Sequence, residues 1–332
     1  MRILSFIFSS YTVGKKNLDS TPIPDRLNAL LVVGTLACSL FLLWAGSHSA
    51  NLFWEFGLGI IYAYLMLTNY SLLHEAGHNK LQTNPRRDYL LGLIPAFLFP
   101  VSLTLLRRSH IKHHLQNRSD DELFDLYYPD DSLTLKYLQW YGILTGFFWF
   151  YPPLATLMFA LLPQSLIRKL FKNCLSARAY TTGFMPSEIF RIRIELALFV
   201  LFFTLVFLLL DLRFSVLLIF YGLAAINWST RQFVEHAYTV RDLVEGTYNL
   251  RHTSWMSWLL LHREMDLNHH RHPDIPWLYL PKLLHPEEAR MSYIRQYWRM
   301  WLGPQPASRF TKFSHQVKQQ PSRTDKLRAK QG

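Results

Sequence analysis

The segment SLLHEAGHNK, residues 71–80, sets His74 and His78 four apart with Glu75 between them. RSHIKHHLQN, residues 108–117, carries His110, His113 and His114, which share one face if the segment is helical. FVEHAY brings His236, and DLNHHRHP brings His269, His270 and His272 behind Asp266. The chain has 14 histidines in 332 residues. That composition alone gives about 0.6 pairs at i,i+4 and about 0.03 H-x-x-H-H triples. The pair by itself is weak evidence, but the triple is not. Imidazoles clustered at such spacings are ligands for a transition metal. His48, His252, His285 and His315 stand apart from the clusters and read as solvated surface groups.

HEAGH also fits H-E-x-x-H, in which two histidines bind zinc and the glutamate acts as general base of a protease. One zinc takes three protein ligands and a water. The clusters offer more imidazoles than one such ion can use, which suits two ions. An intramembrane zinc protease would also need a distant carboxylate, and no Asp-Gly pair occurs to supply the usual second motif.

The elements that must position these residues are apolar. Residues 27–46, 52–73, 194–210 and 214–230 are runs of membrane-crossing length, the second interrupted only by Glu55. Residues 89–106 carry Pro95 and Pro100, and 140–162 carry Pro152 and Pro153. Proline breaks a helical interior, so both stretches are predicted to be re-entrant or interfacial. Lys and Arg flank the runs: Lys15, Lys16 and Arg26 before the first, Lys80, Arg86 and Arg87 after the second. Basic flanks stay cytoplasmic. The expectation is an all-α, multi-pass bundle of four spans in two hairpins, with both termini and a histidine-rich cap on the cytoplasmic side. In a bacterium that membrane would be the inner one.

Residues 1–26 are predicted as a cytoplasmic segment without a removable signal peptide, 27–285 as the membrane domain, and 286–332 as a basic cytoplasmic segment. The tail from 309 should be disordered on the headgroup surface. The +12 charge follows from basic residues at span ends and in this tail, which argues against nucleic acid as a partner. Cys38 and Cys174 make no disulfide or metal pattern. FFWFY, residues 147–151, reads as an interfacial anchor, and Asp120 and Asp121 as a solvated loop.

HEAGH, HIKHH and DLNHHRHP on hairpin spans resemble the membrane fatty acid desaturase and hydroxylase superfamily, from about residue 55 to 285. The resemblance implies two non-haem iron ions held by His74, His78, His110, His113, His114, His236, His269 and His270. It implies O2-dependent oxidation of a long acyl chain, desaturation first, with hydroxylation, oxidative decarboxylation or carotenoid oxidation as alternatives. Where the third box should open with His or Gln, this chain has Asp266. Asp266 is the first choice as ligand there, and His262 or His272 the alternatives. Arg231 and Glu235 are candidates to orient His236, and Asn227, Asn249 and Asn268 to hold water. The chain has no C-x-x-C, no G-x-G-x-x-G and no H-P-G-G. A separate electron donor, a ferredoxin or a cytochrome with its reductase, is therefore expected.

Overall fold

The computed structural model describes residues 21–172 and 180–310. The expectations for residues 1–20, Cys174, His315 and the tail from 311 lie outside them. Helix α1 (Asp25–Ser47) and helix α2 (Leu52–Gly77) form the first hairpin. Asn51 starts α2 by accepting from the Phe53 amide at 2.8 Å. At 26 residues α2 is about 39 Å long. It runs past the apolar stretch to take in His74, with His78 as its C-cap.

Helices α3 (Pro85–Leu98) and α4 (Leu103–Gln116) meet at a 91° bend. Pro100 lies in the break, and Ser102 restarts the chain as N-cap by accepting from the Leu105 amide at 3.1 Å. A second bend of 83° separates α5 (Leu133–Leu144) from the segment continuing into α6 (Tyr151–Leu161). Here the proline expectation is corrected. Pro152 and Pro153 stand in the first turn of α6, where proline lacks no needed bond. The turn is made by Gly146 at φ +105°, a conformation that favours glycine.

Helix α8 (Pro186–Leu209) and helix α9 (Phe214–Ser229) make the second hairpin, with α7 (Gln164–Leu170) before it. Helix α8 begins eight residues earlier than its apolar run. Helix α9 has 16 residues, about 24 Å, and is short for a full crossing. Among the described residues, three helices (α1, α2 and α8) are therefore long and apolar enough to cross, or up to five elements if each bent pair is one span. Arg213 explains the lone glutamate of the second run. It reaches Glu55 Oε1 at 2.6 Å and the Gly46 carbonyl at 2.7 Å, tying the two hairpin turns together. Leu43, Tyr62, Met66, Val216 and Phe220 fill the space between α1, α2 and α9.

Beyond α9 the chain folds into a cap containing α10 (Ser254–Leu259), α11 (Asp266–Arg271) and α12 (Tyr293–Met300). A parallel pair of β1 (Leu126–Tyr127) with β2 (Gln305–Pro306) carries the packing past residue 300. Asp120 is not a solvated loop residue. It accepts from Tyr128 and Arg241, both at 2.7 Å. The FFWFY stretch divides: Phe147 and Phe150 are exposed, whereas Trp149 is buried 4.5 Å from Phe99.

Candidate metal centre

His74 occupies the last turn of α2, and α4 carries His110, His113 and His114. Arg107, one turn before His110, holds the two helices together. It donates to the Ala76 carbonyl at 2.9 Å and to Asp88 at 2.6 Å. The third cluster sits on α11, a six-residue helix whose start is fixed by a buried amide pair. Asn249 donates to Asn268 Oδ1 at 2.9 Å, and the Asn268 amide donates back to Asn249 Oδ1 at 3.0 Å. Asn227 braces α9 to α2 through the Ala63 carbonyl at 3.0 Å. All three asparagines make bracing bonds between elements.

These elements bring the histidines into two groups. One ring nitrogen from each of His74, His78, His110 and His269 lies within 4.8 Å of the others. His113, His236 and His270 form the second group by the same measure. His114 stands between them, its Nε2 3.2 Å from those of His78 and His110 and 3.1 Å from that of His269. Successive residues on a helix diverge by about 100°, so His269 and His270 face different groups. His110 and His113, about 60° apart on α4, also fall into different groups.

Asp266 joins the second group. Its Oδ2 is 3.1 Å from His236 Nε2 and 3.5 Å from His270 Nε2, and accepts from Thr247 at 2.6 Å. Both alternatives lie outside the two groups. His262 is in a left-handed turn at φ +57° and rests 5.8 Å from the Trp277 ring; His272 is half-buried at the end of α11. Neither Arg231 nor Glu235 is hydrogen-bonded to His236 in the structure: Arg231 donates to Asn227 at 3.1 Å, and His236 Nδ1 has no partner among the described residues. Glu122 does the orienting that sequence reasoning missed. It meets His113 Nδ1 at 2.8 Å. A carboxylate nine residues after a histidine has no helical register with it, so no spacing rule could have found it.

Burial and charge set the protonation of the group around Asp266. Burial holds the His270 imidazole down at about 4 and the His236 imidazole well below its ordinary range, against the pull of Asp266. Burial alone would push the Asp266 carboxyl up. His270, His236 and the Thr247 bond outweigh it and hold the carboxyl at about 2. Burial also pulls His113 down, but Glu122 outweighs it, so His113 lies above its ordinary range. The neutral His236 and His270 imidazoles beside an ionised Asp266 are what a divalent ion requires.

The donor set fits such an ion. A neutral imidazole has one N–H and one lone pair. Four Nε2 atoms converging at 2.6–3.2 Å cannot all be satisfied by one another. A shared cation satisfies them together, and imidazole with carboxylate suits iron as well as zinc. A comparison with curated proteins gives no individual match. The family model described as fatty acid desaturase matches residues 52–302. That range contains every converging histidine, Asp266, α2 and the second hairpin, so the HEAGH of α2 belongs to a many-histidine oxidoreductase site and not to a protease. The chain belongs to the fatty acid desaturase family.

Proposed function

We propose that the protein is a di-iron, O2-dependent oxidase of a long acyl chain, and that the reaction is desaturation. The carrying observation is the convergence of seven histidine nitrogens into two adjacent groups inside the family match. His74, His78, His110 and His269 would hold one ion. His113, His236, His270 and Asp266 would hold the other, with His114 available between them. Bound iron supplies the activation of O2 needed to break an unactivated C–H bond.

The chain's own residues set the conditions for that chemistry. His269 and His270 are 4% and 2% exposed, which keeps bulk water from the reacting atoms. Asp266 contributes a negative charge that a neutral imidazole would not, favouring the higher oxidation state. Glu122 fixes the His113 ring through Nδ1 and so aims Nε2 inward. For each double bond formed, two hydrogens leave neighbouring carbons. With one O2, two electrons and two protons from outside they leave as two waters. The electrons come from a separate ferredoxin or cytochrome with its reductase, and the site faces the cytoplasm.

The test expresses the full chain, assays metal after purification and profiles the host's lipids. About two irons per chain and new unsaturated acyl chains are expected, both reduced in His113→Ala. One zinc per chain with an unaltered lipid profile would sink the reading. New hydroxyl or terminal-alkene products with two irons would keep the site and change the reaction.

A further inference from the structure

The cap does not stand wholly above the apolar helices. Thr68 donates to the Leu259 carbonyl and Ser71 to the Leu260 carbonyl, each at 2.7 Å. Both hydroxyls belong to the apolar run of α2, and Thr68 lies six residues, about 9 Å, before His74. The end of α10 is thus bonded to α2 on the membrane side of the histidines. Helix α12 is tied in beside it: its start is bridged to the segment before α10 (Arg251 with Ser292), and Tyr297 meets Thr230 at the end of α9 at 3.1 Å.

The outer faces of these two short helices are apolar. Helix α10 buries Met256 and leaves Trp255 and Trp258 64% and 54% exposed. Helix α12 buries Tyr293, Gln296 and Met300 and turns out Ile294 and Trp298 at 60% and 63%. Tryptophan at the end of a span is favoured in the headgroup region. The exposed Arg251 and Arg295 beside it complement anionic headgroups.

Between the two helices a cavity opens, lined by Leu67, Tyr70, Trp228, Leu260, Arg263 and Tyr293. It shares Ser71 and Arg263 with a second cavity lined by His74 and His269. The walls therefore run from Tyr293 at the start of α12 and Leu260 at the end of α10 to the first histidine group. Arg263 lies 4.7 Å over the Tyr70 ring, and Arg231 5.7 Å over that of Tyr293, a cationic pair at this opening.

We propose that α10 and α12 are immersed in the membrane interface and frame a lateral portal, by which an acyl chain passes from the leaflet to the histidines. Arg231 and Arg263 meet its anionic head. The inference rests on the acyl-oxidation reading for the identity of the chain that enters.

Two measurements on the full protein, in vesicles of phosphatidylcholine and phosphatidylglycerol, test it. First, spin labels are placed singly at positions 255, 258 and 298 after Cys38 and Cys174 are replaced by serine. Oxygen should relax these labels several-fold more than a water-soluble nickel chelate does, with the reverse at position 287 on the exposed surface. Nickel access at 255 and 258 equal to that at 287 would mean that water or a soluble partner covers this face, and would overturn the immersion. Second, palmitic acid bearing a diazirine is photolysed in the same vesicles. Crosslinks should map to the segments holding Leu67, Tyr70 and Leu260, and fall several-fold in Leu67→Trp at unchanged metal content. Crosslinks elsewhere, or unaffected by Leu67→Trp, would overturn the portal. Crosslinking needs no turnover, so the portal can stand if the lipid profile of the host never changes, and can fall if it does.

Discussion

Asp266 and His262 lie four residues apart, and only one of them reaches the histidines. Asp266 Oδ2 stands 3.1 Å from His236, whereas His262 is turned toward Trp277 by a left-handed backbone. Iron assay of purified variants should therefore separate them. Asp266→Ala is expected to lose about one ion per chain, Asp266→His to keep both, and His262→Ala to keep both, because only the first deletes a donor. Full iron in Asp266→Ala would remove this carboxylate from the site. Protonation gives a second expectation. In the metal-free protein His236 and His270 are held neutral, whereas in an unfolded chain each would take up a proton near pH ~6.5. The unfolded state then binds more protons, so stability falls as pH drops from about 6.5 toward 4 and these two add no loss above that window. Thermal unfolding of the metal-free protein in detergent should show a lower midpoint at pH 5 than at pH 7. An unchanged or higher midpoint would contradict the buried, neutral state of these rings.

The bend between α3 and α4 aims three of the histidines, and its lock comes from another hairpin. Glu195 on α8 is 1% exposed. It accepts from Tyr89 at 2.8 Å, from Thr104 Oγ1 at 2.6 Å, from the Thr104 amide at 3.0 Å and from Ser102 Oγ. A carboxylate here also complements the positive end of the α4 dipole. Glu195→Ala strands those donors in an apolar setting, at a cost of about 1–3 kcal/mol for each donor left unsatisfied. A Glu195→Gln protein keeps the shape and two of the acceptor lone pairs and should lose less. Iron content and thermal midpoint, read together across the two variants, are expected to fall in that order. Equal behaviour of Glu195→Ala and the parent protein would show that the bend holds itself. The converging histidines were legible in the sequence because metal chemistry demands particular residues at helical spacings. Glu195, Glu122 and Thr247 were not, because each reaches its partner across the fold, where spacing carries no signal.

At the scale of the molecule, the hairpins were legible as long apolar runs between basic flanks, and the bends as prolines within apolar stretches. The agent of the second bend was misread, since proline is innocuous in a first helical turn and only the positive φ of Gly146 reveals the break. The placement of α10 and α12 was also out of reach. Both are held by contacts across the fold, α10 by two hydroxyls of α2 and α12 by Thr230 at the end of α9, which spacing along the chain does not signal. Helix α2 itself has a further consequence. One unbroken helix joins Glu55, clamped by Arg213 at one end, to His74 and His78 at the other. Each residue added or removed between them turns the histidines by about 100° and shifts them about 1.5 Å. Lipid-facing positions such as Ile60 and Ile61, both more than half exposed, can exchange one apolar side chain for another without altering that phase. A library covering residues 56–73 should accordingly be permissive to apolar substitution and closed to single-codon insertions and deletions. In the descendants of this gene, the length of that segment should be more strictly inherited than its letters.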